Sequence, residues 1–454
     1  MDGRELEQQV ERDAIDTVLV VFPDLQGRLV GKRVTGRWFV GHLLRGDGAI
    51  HACNYLMAVD VDMTPLPGYR FANWDQGYGD FAAVPDLTTL RRIPWLDKTA
   101  LVLCDLEDEA TGEPVEVSPR RILRRQVERA AAMGFTVKCG SELEFFLFKD
   151  SFEDAAAKRY QGLEPHSPYN EDYHILQTTK DEYLIRQIRN GMDGAGIPVE
   201  FSKGEAGVGQ HEINLEYADA LEMADRHAIY KNGAKEIAAL NGRAITFMAK
   251  WSMADVGSSC HVHASLWDAD GTTSLTSDDD EPDQPSQIYR WFLGGMLATA
   301  RELSWLWAPY VNSYKRYQPD SWAPTAIVWG HDNRTCGLRM VGHGPALRVE
   351  SRIPGADANP YLAFAATIAG GLYGVEHHIE PSPPFSANAY TATDVARVPS
   401  TLVEAIEALE ASTMAVEAFG EEVHAHLLNT ARQEWAAFNR TVTDWELQRN
   451  FERI

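Results

Sequence analysis

The chain has 454 residues, 44% of them hydrophobic, with 42 Lys and Arg against 66 Asp and Glu and a net charge of −24. Such a length and apolar content predict two or three domains around a large core. The negative surface repels nucleic-acid phosphate and anionic lipid, so neither nucleic acid nor membrane is an expected partner. Five dispersed cysteines without Cys-x-x-Cys spacing read as reduced thiols. The N-terminus has no signal-peptide h-region, and no run of about 18 apolar residues occurs, so a cytoplasmic protein is expected.

Asp2 is placed to cap a short charged helix. Thr17–Phe22 is a continuous apolar run closed by Pro23-Asp24 and predicts a buried strand. Gly27 and Gly31 punctuate a hairpin-like pair, Tyr69–Gly79 reads as loop, and Leu101–Asp105 as another strand. These elements make a first α+β unit over residues 1–112, bounded by a run of acids with Gly112, Pro114 and Pro119. Residues 113–454 form the second unit. It opens with Ser118 and Pro119 at the N-cap and first position of a helix. Ile122, Leu123, Val127 and Ala130 supply its apolar stripe, and Gly134 ends it.

The chemistry centres on Cys139–Phe148. Side chains alternate across a strand, so Glu142 and Glu144 project from one face and Leu143, Phe145 and Leu147 from the other. Two carboxylates roughly 7 Å apart beside an apolar core repel one another, and a hard divalent cation is the usual remedy. An ordinary solvated strand face is the plainer alternative. Three more stretches repeat the pattern: Glu212, Asn214 and Glu216; His261, His263 and Ser265; Arg348, Glu350 and Arg352. Four such strands predict a curved antiparallel sheet whose concave face holds the chemistry. Helices over Tyr289–Leu306 and from Asn359 to about His377 would cover the convex face. The acidic, Pro-bearing stretch Ser277–Gln287 reads as a solvated loop, and the tail from Ser400 as helical.

Glu205 precedes a turn with Gly207 and Gly209, so Glu205 and Glu212 can face one cavity; a plain surface turn competes with that reading. His261 adds a nitrogen donor, although a lone histidine is more often a satisfied core residue. Arg316, Arg334, Arg339, Arg348 and Arg352 form a second set. Guanidinium forks bind carboxylates and phosphates, though surface salt bridges would use the same residues. Acids that gather metal beside arginines that hold anions suit phosphoryl transfer from a nucleotide. No Gly-x-x-x-x-Gly-Lys-Ser/Thr loop is present.

Six stretches together resemble the type I glutamine synthetase superfamily. They are Ser-Glu-Leu-Glu-Phe (141–145), Gly-Gln-His-Glu (209–212), His-Val-His-Ala-Ser-Leu-Trp (261–267), Asn-Ser-Tyr-Lys-Arg (312–316), Asn-Arg (333–334) and the run from Arg348 to Leu362. The resemblance implies an α+β fold, with an N-terminal β-grasp domain before a catalytic half-barrel. By the same resemblance one metal site is Glu144, Glu205 and Glu212, and a second is Glu142, His261 and Glu350. Gly257, Arg316, Arg334 and Arg352 are implied to hold glutamate and its acyl phosphate, with the three arginines catalytic. Arg339 and Arg348 are implied on ATP phosphates, and Glu200, His263 and Ser265 along the nucleotide. The implied cofactors are ATP and two or more Mg²⁺ or Mn²⁺ ions. The implied assembly is a dodecamer of two stacked hexameric rings.

The chain departs from the family pattern where ammonium would bind. The family's flap glutamate precedes Ala-Pro; here Trp322 precedes Ala323-Pro324. The family's Asp-Gly-Ser-Ser is absent, Ala49–Asn54 carries no carboxylate, and Val256 stands where Asn is usual before Gly257. Retained activation of glutamate with a different nucleophile is the expectation. The pattern is similar to the γ-glutamylpolyamine and γ-glutamylethanolamide synthetases, with Trp322 a wall of the amine pocket. The competing readings are an ammonia-using glutamine synthetase and a non-catalytic assembly or regulatory relative.

Overall fold

The structure, a computed structural model, describes residues 1–46, 48–319 and 321–454. Two sheets are built from stretches that do not interleave. The first contains β1 (Thr17–Pro23), β2 (Leu29–Thr35), β3 (Ile50–Cys53), β4 (Asp80–Pro85), β5 (Arg91–Arg92) and β6 (Thr99–Asp108). Its order is β2-β1-β6-β4-β3, with β5 also on β6. The β1–β6 pair is parallel and the other pairs are antiparallel, the mixed arrangement of a β-grasp unit. The β1–β2 turn runs through Gly27 at φ +77°, a left-handed conformation that glycine adopts without strain.

The second sheet contains β7 (Phe135–Phe148), β8 (Val199–Gly204), β9 (Gln210–Leu215), β10 (Ala218–Asp219), β11 (Ala244–Thr246) and β12 (Cys260–Asp268). It continues with β13 (Trp329–His331), β14 (Leu338–Val341) and β15 (Arg348–Ser351). The order is β13-β14-β15-β12-β7-β9-β8, with β10 and β11 also on β7. The curved sheet expected from the alternating stretches is therefore present, antiparallel except for the β13–β14 pair. Leu143, Phe145 and Leu147 are fully buried on the core face of β7. Helices Pro119–Ala132, Ala220–Leu240, Gln287–Thr299 and Pro360–Glu376 contribute to that core.

Two local expectations change. Tyr289–Leu306 is two helices, Gln287–Thr299 and Ser304–Trp307. Ser304 Oγ donates to the Arg301 carbonyl (2.9 Å), a local bond that competes with helix continuation. Glu216 lies beyond the end of β9 at Leu215 and is exposed, so only Glu212 and Asn214 of its triplet stay on the concave face. The capped helices agree with their signals: Asp2 accepts from the Glu5 amide (2.8 Å), and Asn359 from the Tyr361 amide (3.0 Å).

Candidate active site

Register assembles the acids. Antiparallel pairing sets Glu142 opposite Asn214 and Glu144 opposite Glu212 across β7 and β9. On the far side of β9, Glu212 is opposite Lys203 of β8, so Glu144, Glu212 and Lys203 form one cross-strand row. His261 of β12 is opposite Glu142, and Glu350 of β15 is opposite both His263 and Arg339. Glu205 follows β8 and enters the same hollow. Its turn uses Gly209 at φ +80°, whereas Gly207 is needed for space, since a Cβ there would lie 2.5 Å from the Phe146 ring.

The result is a cavity of about 420 Å³ lined by Glu142, Glu144, Glu205, Glu212, His261 and Glu350. Ligand atoms of Glu144, Glu205 and Glu212 lie within 4.8 Å of one another. His261 Nδ1 is 3.0 Å from Glu142 and 3.4 Å from Glu350. The first expected trio is thus one cluster; in the second, His261 reaches both carboxylates, while the ligand atoms of Glu142 and His261 cluster within 4.8 Å with Glu212 rather than with Glu350. His263, expected along the nucleotide, also reaches Glu142 (2.9 Å), and ligand atoms of Glu142, His263 and Glu350 share a 4.8 Å cluster. Arg348 Nε donates to His263 Nδ1 (3.1 Å), which leaves Nε2 as the donor toward Glu142.

The acids cannot all be charged without help. Burial, then Glu205, pushes Glu144 up to about 8. Burial, then Glu142 and Glu205, holds Glu212 well above the usual carboxylate range. Burial also disfavours charge on Glu142, but His261 and His263 outweigh it and keep that carboxyl low. A concentration of oxygen donors with surplus negative charge and one imidazole fits hard divalent cations. Glu144 is fixed in orientation by two donors: its Oε2 accepts from the Ser259 amide (2.7 Å) and Gln210 Nε2 (3.0 Å).

Cations rim the cavity. Arg334, Arg339 and Arg352 line it, with Arg339 2.7 Å from Glu350 and Arg352 in contact with the same carboxylate. Gly257 lies on the wall, and a Cβ there would meet the Ala249 carbonyl at 2.6 Å. Arg316 is behind the wall. It is 1% exposed, and its guanidinium donates to Ile353 O, Arg352 O and Ser259 Oγ. A neighbouring cavity of about 360 Å³ holds Glu200, His263, Ser265 and Arg348 and shares Glu142 and Asn214 with the first. Tyr217 and Trp267 stack there, and Lys138 Nζ sits 4.0 Å over the Trp267 ring.

Several residues escaped the sequence reading. Lys203 Nζ contacts Glu205 and lies 4.6 Å over the Tyr173 ring. Burial works against its charge, but Glu212 and Glu205 outweigh burial and hold the ammonium above its usual range. Alternation along β8 could have placed Lys203 beside Glu205. Asp172 and Tyr173 sit in an irregular turn without periodicity to reveal them, and both line the larger cavity beside Trp322.

The sequence profile of the glutamine synthetase catalytic domain matches residues 116–450. The chain belongs to the glutamine synthetase family. Enzymes of this family work with ATP and divalent metal ions, in keeping with the acid-lined cavity. One relative is the γ-glutamylethanolamide synthetase GlnA4 of Streptomyces coelicolor, 53% identical over 99% of this chain and 96% of its own. Another is a glutamate–isopropylamine ligase of a Pseudomonas species, 40% identical over 98% of this chain and 97% of its own. Among solved structures, GmaS without ligand superposes with a TM-score of 0.84 at 30% identity, covering 98% of each chain. No helix among the described residues is long and apolar enough to cross a membrane.

Proposed function

We propose that this glutamine synthetase family member is an ATP-dependent ligase that joins the γ-carboxylate of L-glutamate to an organic primary amine through γ-glutamyl phosphate. The carrying observation is a mismatch within one cavity. Its acids and guanidiniums suit activation of a carboxylate, yet Trp322, which stands before Ala323-Pro324 where the family pattern has its flap glutamate, lines the same cavity. The ethanolamide- and isopropylamide-forming relatives support the same reading.

Glu144, Glu205 and Glu212 would hold one divalent ion, and Glu142, His261 and Glu350 another. Bound there, the ions would offset charge on the transferring phosphoryl group. Glu200, His263, Ser265 and Arg348 bind ATP in the smaller cavity, and Arg339 reaches its phosphates. Arg334 and Arg352 orient glutamate and its acyl phosphate beside Gly257. Arg316 holds the carbonyls of Arg352 and Ile353 in place from behind. The domains proposed are 1–112 and 113–454, the assembly a dodecamer, and the compartment the cytoplasm.

The test offers purified protein ATP, Mg²⁺ and glutamate with ammonium, ethanolamine, isopropylamine or putrescine, and measures phosphate release. An organic amine should give the highest kcat/KM. Ammonium as the preferred nucleophile would defeat the proposal.

A further inference from the structure

A primary amine is protonated at neutral pH, and an ammonium has no lone pair with which to attack. A ligase of this kind needs a base close to the amine. Glu142, Glu144, Glu205, Glu212 and Glu350 are the carboxylates assigned above to the divalent ions. Among the described residues, the remaining carboxylate lining the cavity is Asp172. Among the described residues nothing forms a hydrogen bond or ion pair with its side chain; the turn uses only its backbone amide, which donates to Asn170 Oδ1 (2.8 Å). Burial, then Glu205, raises its affinity for a proton, while Lys203 opposes that effect.

The turn is held firmly for so exposed a segment. Glu171 is fully buried and accepts from Ser167 Oγ (2.7 Å), with His211 Nε2 3.3 Å away. The Tyr173 amide donates to the Gly204 carbonyl (3.2 Å) at the end of β8. Tyr173 and Trp322, both lining this cavity, have left-handed backbones at φ +55° and +62°, uncommon for bulky side chains. Lys203 Nζ lies 4.6 Å over the Tyr173 ring, so that ring already meets one primary alkylammonium.

We propose that Asp172 is the catalytic base for the amine, with Tyr173 and Trp322 forming the aromatic walls that position it. This rests on the ligase reading above. The ammonium gives one proton to Asp172, and the freed lone pair forms the C–N bond to the γ-carbon. The C–O bond to phosphate breaks, and its electron pair leaves on the phosphate. The second surplus N–H proton goes to that phosphate, and Asp172 returns its proton to water. A short aliphatic amine suits an acid beside two rings.

Hydroxylamine separates base catalysis from everything else, since it is largely unprotonated at neutral pH and needs no base to become a nucleophile. Asp172→Asn should lower kcat/KM for ethanolamine or isopropylamine about 100-fold. It should leave γ-glutamyl hydroxamate formation within about threefold, by the same reasoning about proton removal. The variant's alkylamine activity should also climb tenfold per pH unit as free amine accumulates, and Asp172→Glu should restore part of the loss at neutral pH. Equal losses with both nucleophiles, or an alkylamine loss below about threefold, overturn the role of Asp172. A wild-type enzyme that forms neither hydroxamate nor amide overturns the ligase reading itself.

Discussion

Two clusters of acids show what charge balance does to a protein. In one, Arg120 is 1% exposed and serves three aspartates. It donates to Asp225 at 3.0 and 2.8 Å, to Asp105 at 2.6 Å and to Asp86 at 2.8 Å, while Tyr361 Oη also donates to Asp225 (2.7 Å). Asp86 and Asp105 belong to the stretch that forms the first sheet, and Asp225 and Tyr361 to helices behind the second. Arg124 adds a second guanidinium, 2.9 Å from Asp105 and 3.5 Å from Asp86, so two fixed cations answer the three carboxylates of this clamp. In the other, Glu144, Glu205 and Glu212 face one ammonium, from Lys203, and three carboxylates against a single cation leave a deficit. Acids with their own guanidinium hold structure together; acids left short of positive charge are poised to take up a metal.

Opposite signs of a stability change test that distinction most strongly. Arg120→Met leaves the buried Asp225 without its guanidinium and should destabilise the chain by about 3–5 kcal/mol. Glu212→Gln removes one of the repelling acids and should raise the melting temperature of the metal-free protein. The same change should cut ligase activity by about a thousandfold, given that metal contributions run to several kcal/mol. Thermal melts in chelator with matched activity assays read both effects. A metal-free Glu212→Gln protein less stable than wild type would erase the difference between the clusters.

Titration probes the same deficit of positive charge. Glu144 is raised to about 8 by burial and Glu205, and Glu212 is raised as well. Each folded-state pKa lies above its unfolded value, so between them the native state holds protons that the unfolded state has released. The contribution of these two carboxyls to the stability of the metal-free protein then falls as pH rises from about 4.5 toward 8. Metal competes with those protons, so Mn²⁺ should raise the melting temperature more at pH 8 than at pH 6. A Mn²⁺ effect larger at pH 6 would show that these carboxyls do not carry the metal.

The same contrast explains what was legible in the sequence. Glu142, Glu144, Glu212, His261, His263 and Glu350 sit on strands, where period-two alternation announces a shared face before any fold is known. Pairing register then brings those faces together, as the β7–β9 and β7–β12 partners show. Lys203 obeys the same alternation, but a single ammonium on a strand is the ordinary mark of a solvated face and does not announce a site. Asp172 and Tyr173 had no such signal: their turn is placed by the buried Glu171, Ser167 and His211, a tertiary arrangement. Arg316 was legible as a residue but not as a buried support, since sequence spacing does not say which way a guanidinium turns.

A third buried group, neutral rather than charged, gives the smallest effect and the reverse pH limb. His426 is 4% exposed on helix Glu421–Asn439, and its Nε2 is 2.8 Å from the Met57 carbonyl. The ring lies 4.5 Å from that of Tyr69, so this contact fastens the C-terminal helices to the first unit. Burial lowers the imidazole to about 4, with the Met57 bond opposing it. Here the folded pKa is below the unfolded one, so the contribution is present above about pH 6.5 and is lost as pH falls toward 4. His426→Gln keeps an amide donor for Met57 and cannot titrate. It should cost about 1 kcal/mol at pH 7 for the altered packing and bond, and flatten the decline between pH 6.5 and 4. Chemical denaturation at several pH values measures that slope. An undiminished decline in the variant would assign the acid limb to other groups and leave the cup's alkaline limb as the only one traced to named residues.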